Sequence, residues 1–172
     1  MWSKTKEALM ERMTYKLKNR VRYNFEVYTT KGYHSKMKVF YIYVDDNVWF
    51  ASNPLSYSKQ YEYIDKKVDR NLPRDEYWKA HGNAWNDSIN YSSECGIMNV
   101  DLTMFYIHEY LNEYNVKECL DSKNYILKML AVLDRRIGKR TVKQLVDNIS
   151  NETEWFRKFI ILRAESEGSI II

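Results

Sequence analysis

The sequence has little of what several protein classes require. Among 172 residues there are two cysteines, Cys95 and Cys119, without metal-ligand spacing between them. This usage favours a reducing cytoplasm, with both thiols as small buried apolar groups. Glycine and proline are scarce, at five and two residues, whereas tyrosine is abundant at fifteen. An AT-rich coding sequence, which favours Tyr, Asn, Lys and Ile codons, is a sufficient cause of that balance.

Long apolar runs and catalytic motifs are also missing. No stretch approaches the roughly 20 apolar residues of a membrane helix, and residues 1–20 lack the apolar centre of a signal peptide. No serine has a Gly-x-Ser-x-Gly context, and there is no phosphate loop. His34, His81 and His108 have no Cys or His at ligand spacing. We therefore expect a cytoplasmic, non-enzymatic binding protein with no cofactor, metal or membrane partner.

One acidic cluster keeps an enzyme hypothesis open. This cluster loosely resembles the acid–lysine set of a metal-dependent nuclease, and its members are Glu62, Asp65, Lys66 and Lys67. Such nucleases place these groups at strand ends, whereas here they lie on a predicted helix. A small nuclease is therefore the weakest of the hypotheses.

Positive charge is concentrated in the first 44 residues. They contain ten lysines and arginines and three glutamates, or +7, and since the whole chain has +4, residues 45–172 have −3. The candidate binding residues of this first basic group are Arg20, Arg22, Lys31, Lys36 and Lys38. They lie among tyrosines and phenylalanines, a composition that suits a polyanion or an acidic protein.

A second basic group lies closer to the C-terminus. Its members are Arg135, Arg136, Lys139, Arg140 and Lys143. We expect Arg135 and Arg136 to end a helix, where the dipole favours cations by roughly 0.3–1 kcal/mol each. Three interpretations remain open for the group: a patch that contacts phosphates or acids, a solvated corner, and a structural pair of either arginine with Glu165 or Glu167.

Periodicity predicts an α+β fold with an N-terminal helix, a three-stranded antiparallel meander and a mostly helical C-terminal part. The first helix is expected to end at Asn19-Arg20. Strands are expected from Val21, over Met37–Val44 and over Val48–Ala51, with a tight turn at Asp45-Asp46-Asn47.

The predicted central strand has two faces, and we expect Val39 and Tyr41 to lie over the first helix. Tyr28, Tyr41 and Tyr43 permit two interpretations. They fit core positions or cross-strand pairs, and they also fit a surface on which nucleic-acid bases stack.

Helical periodicity dominates after Pro54. Helices are predicted near 57–71, 73–78, 100–114, 124–137, 141–149 and 151–164. An extension of the 73–78 helix through Trp85 and Ile89 is left open. The polar stretch Ser88–Gly96 indicates a loop, and Gly138 is expected to end the 124–137 helix. We expect residues 1–90 to hold the first helix, the sheet and the helices that follow, and residues 91–172 to be a helical region of the same compact unit.

Two stretches resemble a known group of proteins. They are residues 10–33, MERMTYKLKNRVRYNFEVYTTKGY, and residues 130–168, which contain LAVLDRRIGKR and FRKFIILRAESEG. Both stretches are similar to small uncharacterised proteins of phages, plasmids and conjugative elements of Gram-positive bacteria. The resemblance implies a mobile-element context and carries no catalytic residues. Small proteins from such elements often inhibit host defence.

Two functional hypotheses follow from this context. The first is inhibition of a host RNA-guided nuclease, as by a type II anti-CRISPR protein, through contact with the nuclease or its guide RNA or target DNA. The second is direct nucleic-acid binding in regulation or maintenance of the element, which would weaken steeply with salt.

Overall fold

The structure, a computed structural model, describes residues 2–29 and 36–168. The helices within these residues are α1 (Trp2–Arg12), α2 (Ser56–Lys67), α3 (Arg74–Glu94), α4 (Val100–Asn112), α5 (Val116–Asp121), α6 (Tyr125–Leu133), α7 (Lys139–Asp147) and α8 (Glu154–Ser166). The strands are β1 (Val21–Thr29), β2 (Lys36–Val44) and β3 (Asn47–Ala51). They form an antiparallel meander in the order β1–β2–β3. The predicted α+β class and its order of elements are confirmed.

The turn between β2 and β3 is set by two aspartates. Asp45 and Asp46 have φ angles of 48° and 62°, and Asp tolerates this left-handed region better than most residues. A two-residue turn of this kind matches the twist of the strands that it joins. It pairs Val44 with Asn47, which confirms the predicted hairpin.

One face of the sheet lies in the core. Phe40, Ile42 and Val44 of β2 are buried there, and the Phe40 ring contacts Trp2 of α1 with ring centroids 5.8 Å apart. The same hydrophobic cluster extends into α4, α6 and α8. The prediction that Val39 and Tyr41 lie over the first helix is wrong for both residues. Side chains alternate along a strand, and the even-numbered positions of β2 face the core.

The first helix is shorter than the sequence indicates. It ends at Arg12, because Met13 forms an isolated antiparallel bridge with Asp134. The Arg12 guanidinium donates to the backbone carbonyls of Tyr110 and Leu111. These contacts pin the end of α1 to the end of α4, so the predicted end at Asn19-Arg20 is wrong.

The predicted loop over residues 88–96 is wrong for most of its length, because α3 continues to Glu94. Its buried serines remain compatible with a helix because their hydroxyls donate to carbonyls three residues earlier. Ser88 donates to Trp85 at 2.6 Å, and Ser92 donates to Ile89 at 3.0 Å. Polar composition alone therefore misplaced this segment.

Two further boundaries differ from the predictions. Helix α6 ends at Leu133, and Gly138 is the N-cap of α7 rather than the end of the preceding helix. The short helix α5 was not predicted. It is stabilised by a capping box, in which the Asn115 side chain accepts from the Glu118 backbone and the Glu118 carboxylate accepts from the Asn115 N–H. None of the helices in the described part of the chain is long and apolar enough to cross a membrane.

Candidate functional site

The outer face of the sheet, opposite the core, combines tyrosines with one arginine. Strand pairing places Arg22 opposite Tyr43 and Tyr28 opposite Met37. The Arg22 guanidinium lies 4.3 Å above the centroid of the Tyr43 ring, and the Tyr43 and Tyr41 rings are 5.6 Å apart. These side chains form a continuous surface across β1 and β2, which we call the tyrosine face.

The tyrosine face is partly open to solvent. Tyr28 is 39% exposed and Val48 of β3 is 52% exposed, whereas Tyr41 and Tyr43 are half-buried. Val39 on the same face is buried. Of the predicted core pair, Val39 is therefore buried and Tyr41 is only partly covered. The interpretation of the three tyrosines as a surface fits these positions better than the interpretation as core.

A polar network fixes the far end of the tyrosine face. The Tyr28 hydroxyl donates to Glu26 and lies 2.9 Å from the Tyr41 hydroxyl, and Asn24 Nδ2 donates to Glu26 Oε1 at 2.7 Å. Hydrogen bonding to Glu26, followed by that to Tyr41, raises the pKa of Tyr28 above its ordinary value of 10.0. These rings are thus held in fixed orientations without being buried.

A basic cleft opens beside Arg22 and Tyr43. Its volume is about 360 Å³, and it lies between the end of α1, the start of β1 and the β2–β3 turn. The cations that line it are Lys6, Lys18, Arg20 and Arg22, and its carboxylates are Asp45 and Asp46. Four positive and two negative charges leave a net charge of +2. Since Arg22 and Tyr43 also belong to the tyrosine face, the cleft leads directly onto that face.

The carboxylates of the basic cleft hold two of its arginines. Arg20 Nη2 lies 2.6 Å from Asp45 Oδ2, and Arg20 Nη1 lies 3.8 Å from Glu165 of α8. The hydrogen bond with Asp45 raises the pKa of Arg20 and lowers that of Asp45. Arg22 is held more loosely, with Nη2 3.7 Å from Asp46 Oδ1. Arg22 is therefore the more available of the two predicted arginines.

The remaining residues of the first basic group do not join this cleft. Lys38 lies on the core side of β2, beyond the buried residues, where it borders an apolar groove of about 620 Å³ formed with Trp2, Phe25 and Met104. Lys36 is exposed at the start of β2, and Lys31 lies outside the described residues. The structure therefore divides the first group into the arginines of the basic cleft and two lysines at the distant end of β2.

The second basic group lies at the α6–α7 junction and along α7. Four of its cations are exposed, namely Arg135, Lys139, Arg140 and Lys143. A depression of about 540 Å³ is bordered by Lys139, Arg140 and Lys143 together with Val146 and Asp147. We call these four cations the α7 corner. Lys139 and Arg140 occupy the first turn of α7, where the helix dipole disfavours positive charge. Intrahelical electrostatics therefore do not account for them.

Arg136 has a structural role that its neighbour lacks. Its Nη2 lies 2.6 Å from Oδ2 of the fully buried Asp134, which also accepts a 2.6 Å hydrogen bond from the Tyr110 hydroxyl. The hydrogen bond with Asp134 raises the pKa of Arg136. The predicted pairing of Arg135 or Arg136 with Glu165 or Glu167 does not occur in the described structure, because α8 directs those carboxylates toward other cations.

The carboxylates at the end of α8 pair with cations of the N-terminal segment and of α8 itself. Glu167 lies 2.9 Å from Lys16 Nζ and 3.2 Å from Nη2 of the buried Arg163. The Lys16 hydrogen bond, with weaker contributions from Arg163 and Lys139, lowers the pKa of Glu167. Arg20 meets Glu165 on the same helix end. Lys16 and Arg20, more than 100 residues away in sequence, therefore meet the carboxylates at the C-terminus of α8.

Comparison with known families shows a match over most of the chain. The model of the SF0329 protein family matches residues 1–164. The chain belongs to the SF0329 protein family. Searches of curated proteins and of solved structures found no significant match. The match to the SF0329 family spans the tyrosine face, the basic cleft and the α7 corner, so these surfaces are parts of the family domain rather than additions to it.

The nuclease-like residues of this SF0329 protein lie on α2, as predicted. Glu62 bridges Lys59 and Lys66, each at 2.7 Å, and these two hydrogen bonds lower its pKa to about 2. Asp65 pairs with Arg70 instead. Within residues 2–29 and 36–168, no three His, Cys, Asp or Glu residues are grouped so that they could hold a metal ion. The contacts around Glu62 are those of a surface ion-pair network.

Sequence reasoning missed two cations of the basic cleft and placed Tyr41 on the wrong face of the sheet. Lys6 lies on α1 and Lys18 lies between α1 and β1, and the fold places both on the wall of the cleft. A usable signal for the tyrosines was present in β2. Its even positions lack hydroxyls, whereas Tyr41 and Tyr43 have them, and amphipathic side chains favour a partly wet face.

Proposed function

We propose that this SF0329 protein binds single-stranded nucleic acid, without catalysing a reaction, through the basic cleft and the tyrosine face. The observation that carries the proposal is the position of Arg22, whose guanidinium stacks over Tyr43 where the cleft meets the sheet. Proteins that bind single strands combine a positive groove for the phosphates with aromatic rings on which bases stack. Arg22 and Tyr43 place these two features in direct contact.

The charges divide the tasks between the two surfaces. Glu26 puts a negative charge at the far end of the tyrosine face, next to Tyr28 and Tyr41, which disfavours phosphates there. The net charge of +2 in the cleft favours them at the other end. The phosphates therefore follow the cleft, and one or two unpaired bases stack on Tyr43 and Tyr41. A duplex keeps its bases paired and stacked and cannot use these rings in this way.

Fluorescence anisotropy with labelled probes tests the proposal. Single-stranded RNA, single-stranded DNA and a duplex of the same sequence are titrated at about 50 and 200 mM salt. We expect single strands to bind more tightly than duplex. Two to four phosphate contacts would give a slope of roughly −1.4 to −2.8 in log K against log salt, at about −0.7 per contact. Equal affinity for duplex, or no binding at about 50 mM salt, would contradict the proposal.

Two variants separate stacking from charge. Tyr43→Ala should weaken single-strand binding roughly 5- to 150-fold, since stacking contributes about 1–3 kcal/mol per base, with little change in the salt slope. Arg22→Ala should also reduce the magnitude of the slope by about 0.7. Lys38→Ala is the matched control, because it removes one cation from the opposite side of the sheet. It should leave both quantities unchanged.

A second candidate function, inhibition of a host RNA-guided nuclease by a mobile-element protein, is favoured by the α7 corner. Lys139 and Arg140 lie at the positive end of their own helix, so an acidic protein surface or a guide RNA would stabilise them. A plasmid-interference assay in cells with a type II system tests this proposal. The proposal is supported if the parent protein abolishes plasmid interference and a variant with Lys139 and Arg140 changed to alanine restores it. Full interference in the presence of the parent protein would count against the proposal.

A further inference from the structure

The tyrosine face includes a carboxylate, that of Glu26, which no cation faces across the described strand pair. Glu26 lies on β1 between Asn24 and Tyr28 of the same face, and strand pairing places it opposite Val39. Opposite charges stabilise such cross-strand pairs, whereas Val39 is apolar and buried. Pairing within the sheet therefore does not account for the charge of Glu26.

Two neutral donors hold this carboxylate in a fixed position. Asn24 Nδ2 donates to Oε1 at 2.7 Å, and the Tyr28 hydroxyl donates to Oε2. Neither donor neutralises the negative charge. Each carboxylate oxygen has two lone pairs, so both oxygens of Glu26 can accept one further hydrogen bond. Because the side chain is only half-buried, a ligand on the outer side of the sheet can reach these oxygens.

The Glu26 carboxylate lies beside one of the rings on which we expect bases to stack. The Tyr28 hydroxyl that donates to Glu26 lies 2.9 Å from the Tyr41 hydroxyl, so one hydroxyl group separates the carboxylate from the edge of the Tyr41 ring. Asn24, which holds the carboxylate, pairs with Tyr41 across the strands. A purine is larger than a phenol ring, so a purine stacked on Tyr41 extends beyond it and can bring its edge to Glu26.

The bases of RNA differ in what they offer to a carboxylate. Guanine has two adjacent donors on its Watson–Crick edge, the N1–H and the amino group at C2. Adenine and cytosine have an amino group beside an acceptor nitrogen, and uracil has one N–H between two carbonyls. A carboxylate only accepts hydrogen bonds, so it pairs with both donors of guanine and is repelled by the acceptor of every other base. Unpaired bases are read on this edge because no partner strand occupies it.

We propose that Glu26 makes the tyrosine face selective for an unpaired guanine stacked on Tyr41. The inference rests on the proposed single-strand binding and adds the base that the site prefers. The N1–H and the amino group of guanine donate to the two oxygens of Glu26, while the phosphates follow the basic cleft. A bidentate contact of this kind discriminates against a wrong base by roughly 5- to 150-fold in affinity.

Fluorescence anisotropy with single-base probes tests the guanine preference. The probes are RNA strands of roughly seven nucleotides, with uracil at every position except a central guanine, hypoxanthine or adenine. The guanine strand should bind roughly 5- to 150-fold more tightly than the adenine strand. The hypoxanthine strand keeps the N1–H and lacks the amino group, so its affinity should lie between the other two. Because the strands have the same phosphates, their salt slopes should agree.

Glu26→Gln removes one acceptor oxygen and the negative charge while it keeps the size of the side chain. The guanine preference should fall to within about threefold. A strand of uracil alone should bind the variant no more weakly than it binds the parent, which also shows that the variant is folded. Glu76→Gln is the matched control, since it removes the same charge from an exposed position on α3. It should retain the full preference for guanine.

Guanosine 5′-monophosphate distinguishes a strand site from a nucleotide site. It should displace the labelled guanine strand only at far higher concentration than an unlabelled guanine strand does, because it lacks the flanking phosphates. Equal competition by the nucleotide, equal affinity of the parent for all the strands, or an unchanged preference in Glu26→Gln would each overturn this inference. A parent that binds all the strands equally still supports single-strand binding, whereas a parent that binds no probe refutes the proposed function itself.

Discussion

Replacing Arg136 by alanine should destabilise the fold, whereas the same replacement at the adjacent Arg135 should leave stability unchanged. The two residues have the same side chain and follow one another in the turn after α6. They differ in what they contact. Arg136 pairs with the fully buried Asp134, whereas the Arg135 side chain is exposed at the α7 corner. The pair is thus an internal comparison in which only the tertiary environment varies.

The magnitude follows from the environment of Asp134. Removing one partner of a buried ion pair costs about 3–5 kcal/mol, because the remaining charge is buried without compensation. Two observations reduce that figure. The Arg136 side chain is 40% exposed, and Asp134 would keep its hydrogen bonds from the Tyr110 hydroxyl and from the backbone N–H of residue 136. We therefore expect Arg136→Ala to lower the free energy of unfolding by about 2–3 kcal/mol.

Thermal and urea unfolding of both variants measure this difference. For a protein of this size, each 1 kcal/mol shifts Tm by about 2–4 °C, so Arg136→Ala should melt roughly 4–12 °C below the parent. Arg135→Ala should remain within about 0.5 kcal/mol of it. Equal melting temperatures of the two variants would refute the argument, since they would show that Asp134 does not depend on Arg136.

Three further predictions test other parts of the structure. Ile42→Asp should lower the free energy of unfolding by several kcal/mol, because it buries an unpaired carboxylate. Tyr41→Asp changes the outer face of the same strand and should melt much closer to the parent. Similar losses of stability in the two variants would show that the faces are reversed. The pKa of Glu167 is lowered from 4.5, chiefly by Lys16, so the stability that this carboxylate contributes is complete above pH 4.5 and is lost as pH falls through the lowered pKa. Glu167→Gln should therefore lower Tm at neutral pH, and the difference in Tm from the parent should shrink in acid. A difference in Tm that does not change with pH would contradict this assignment. A thiol reagent should label the exposed Cys95 in the native protein. Cys119 is buried and burial raises its pKa to about 11, so it should react only after unfolding. Fast labelling of two thiols in the native protein would disprove this.

Local patterns predicted most elements because their causes are local. The apolar spacing predicted a helix over 100–114, close to the observed α4, and Asn99 caps it by accepting from the Leu102 N–H at 2.8 Å. The Asp45-Asp46 turn follows from residues that tolerate positive φ. In contrast, the serines of α3 suggested a loop. The carbonyls that accept their hydroxyl hydrogen bonds come within reach only once the helix has formed.

The candidate site was predicted only in part. Arg22 was identified correctly as a basic residue among aromatics, but the sequence grouped it with Lys36 and Lys38, which the strand register places elsewhere. The expectation that Cys95 is buried was also wrong. Composition can show that a segment is basic and aromatic, but it does not show which of its side chains share a face with cations from distant segments.

The sequence by itself determined the α+β class, the hairpin turn and the surplus of positive charge in the first 44 residues, because these depend on neighbouring residues and on their number. Only the tertiary structure decided how firmly each arginine is held. The burial of Asp134 commits Arg136 to a structural pair, and the end of α8 engages Arg20 and Lys16. Arg22 remains over Tyr43 at the mouth of the basic cleft. A cation is more available for binding when its nearest opposite charge is exposed and holds it loosely, as Asp46 does at 3.7 Å from Arg22, and that condition is set by the tertiary fold.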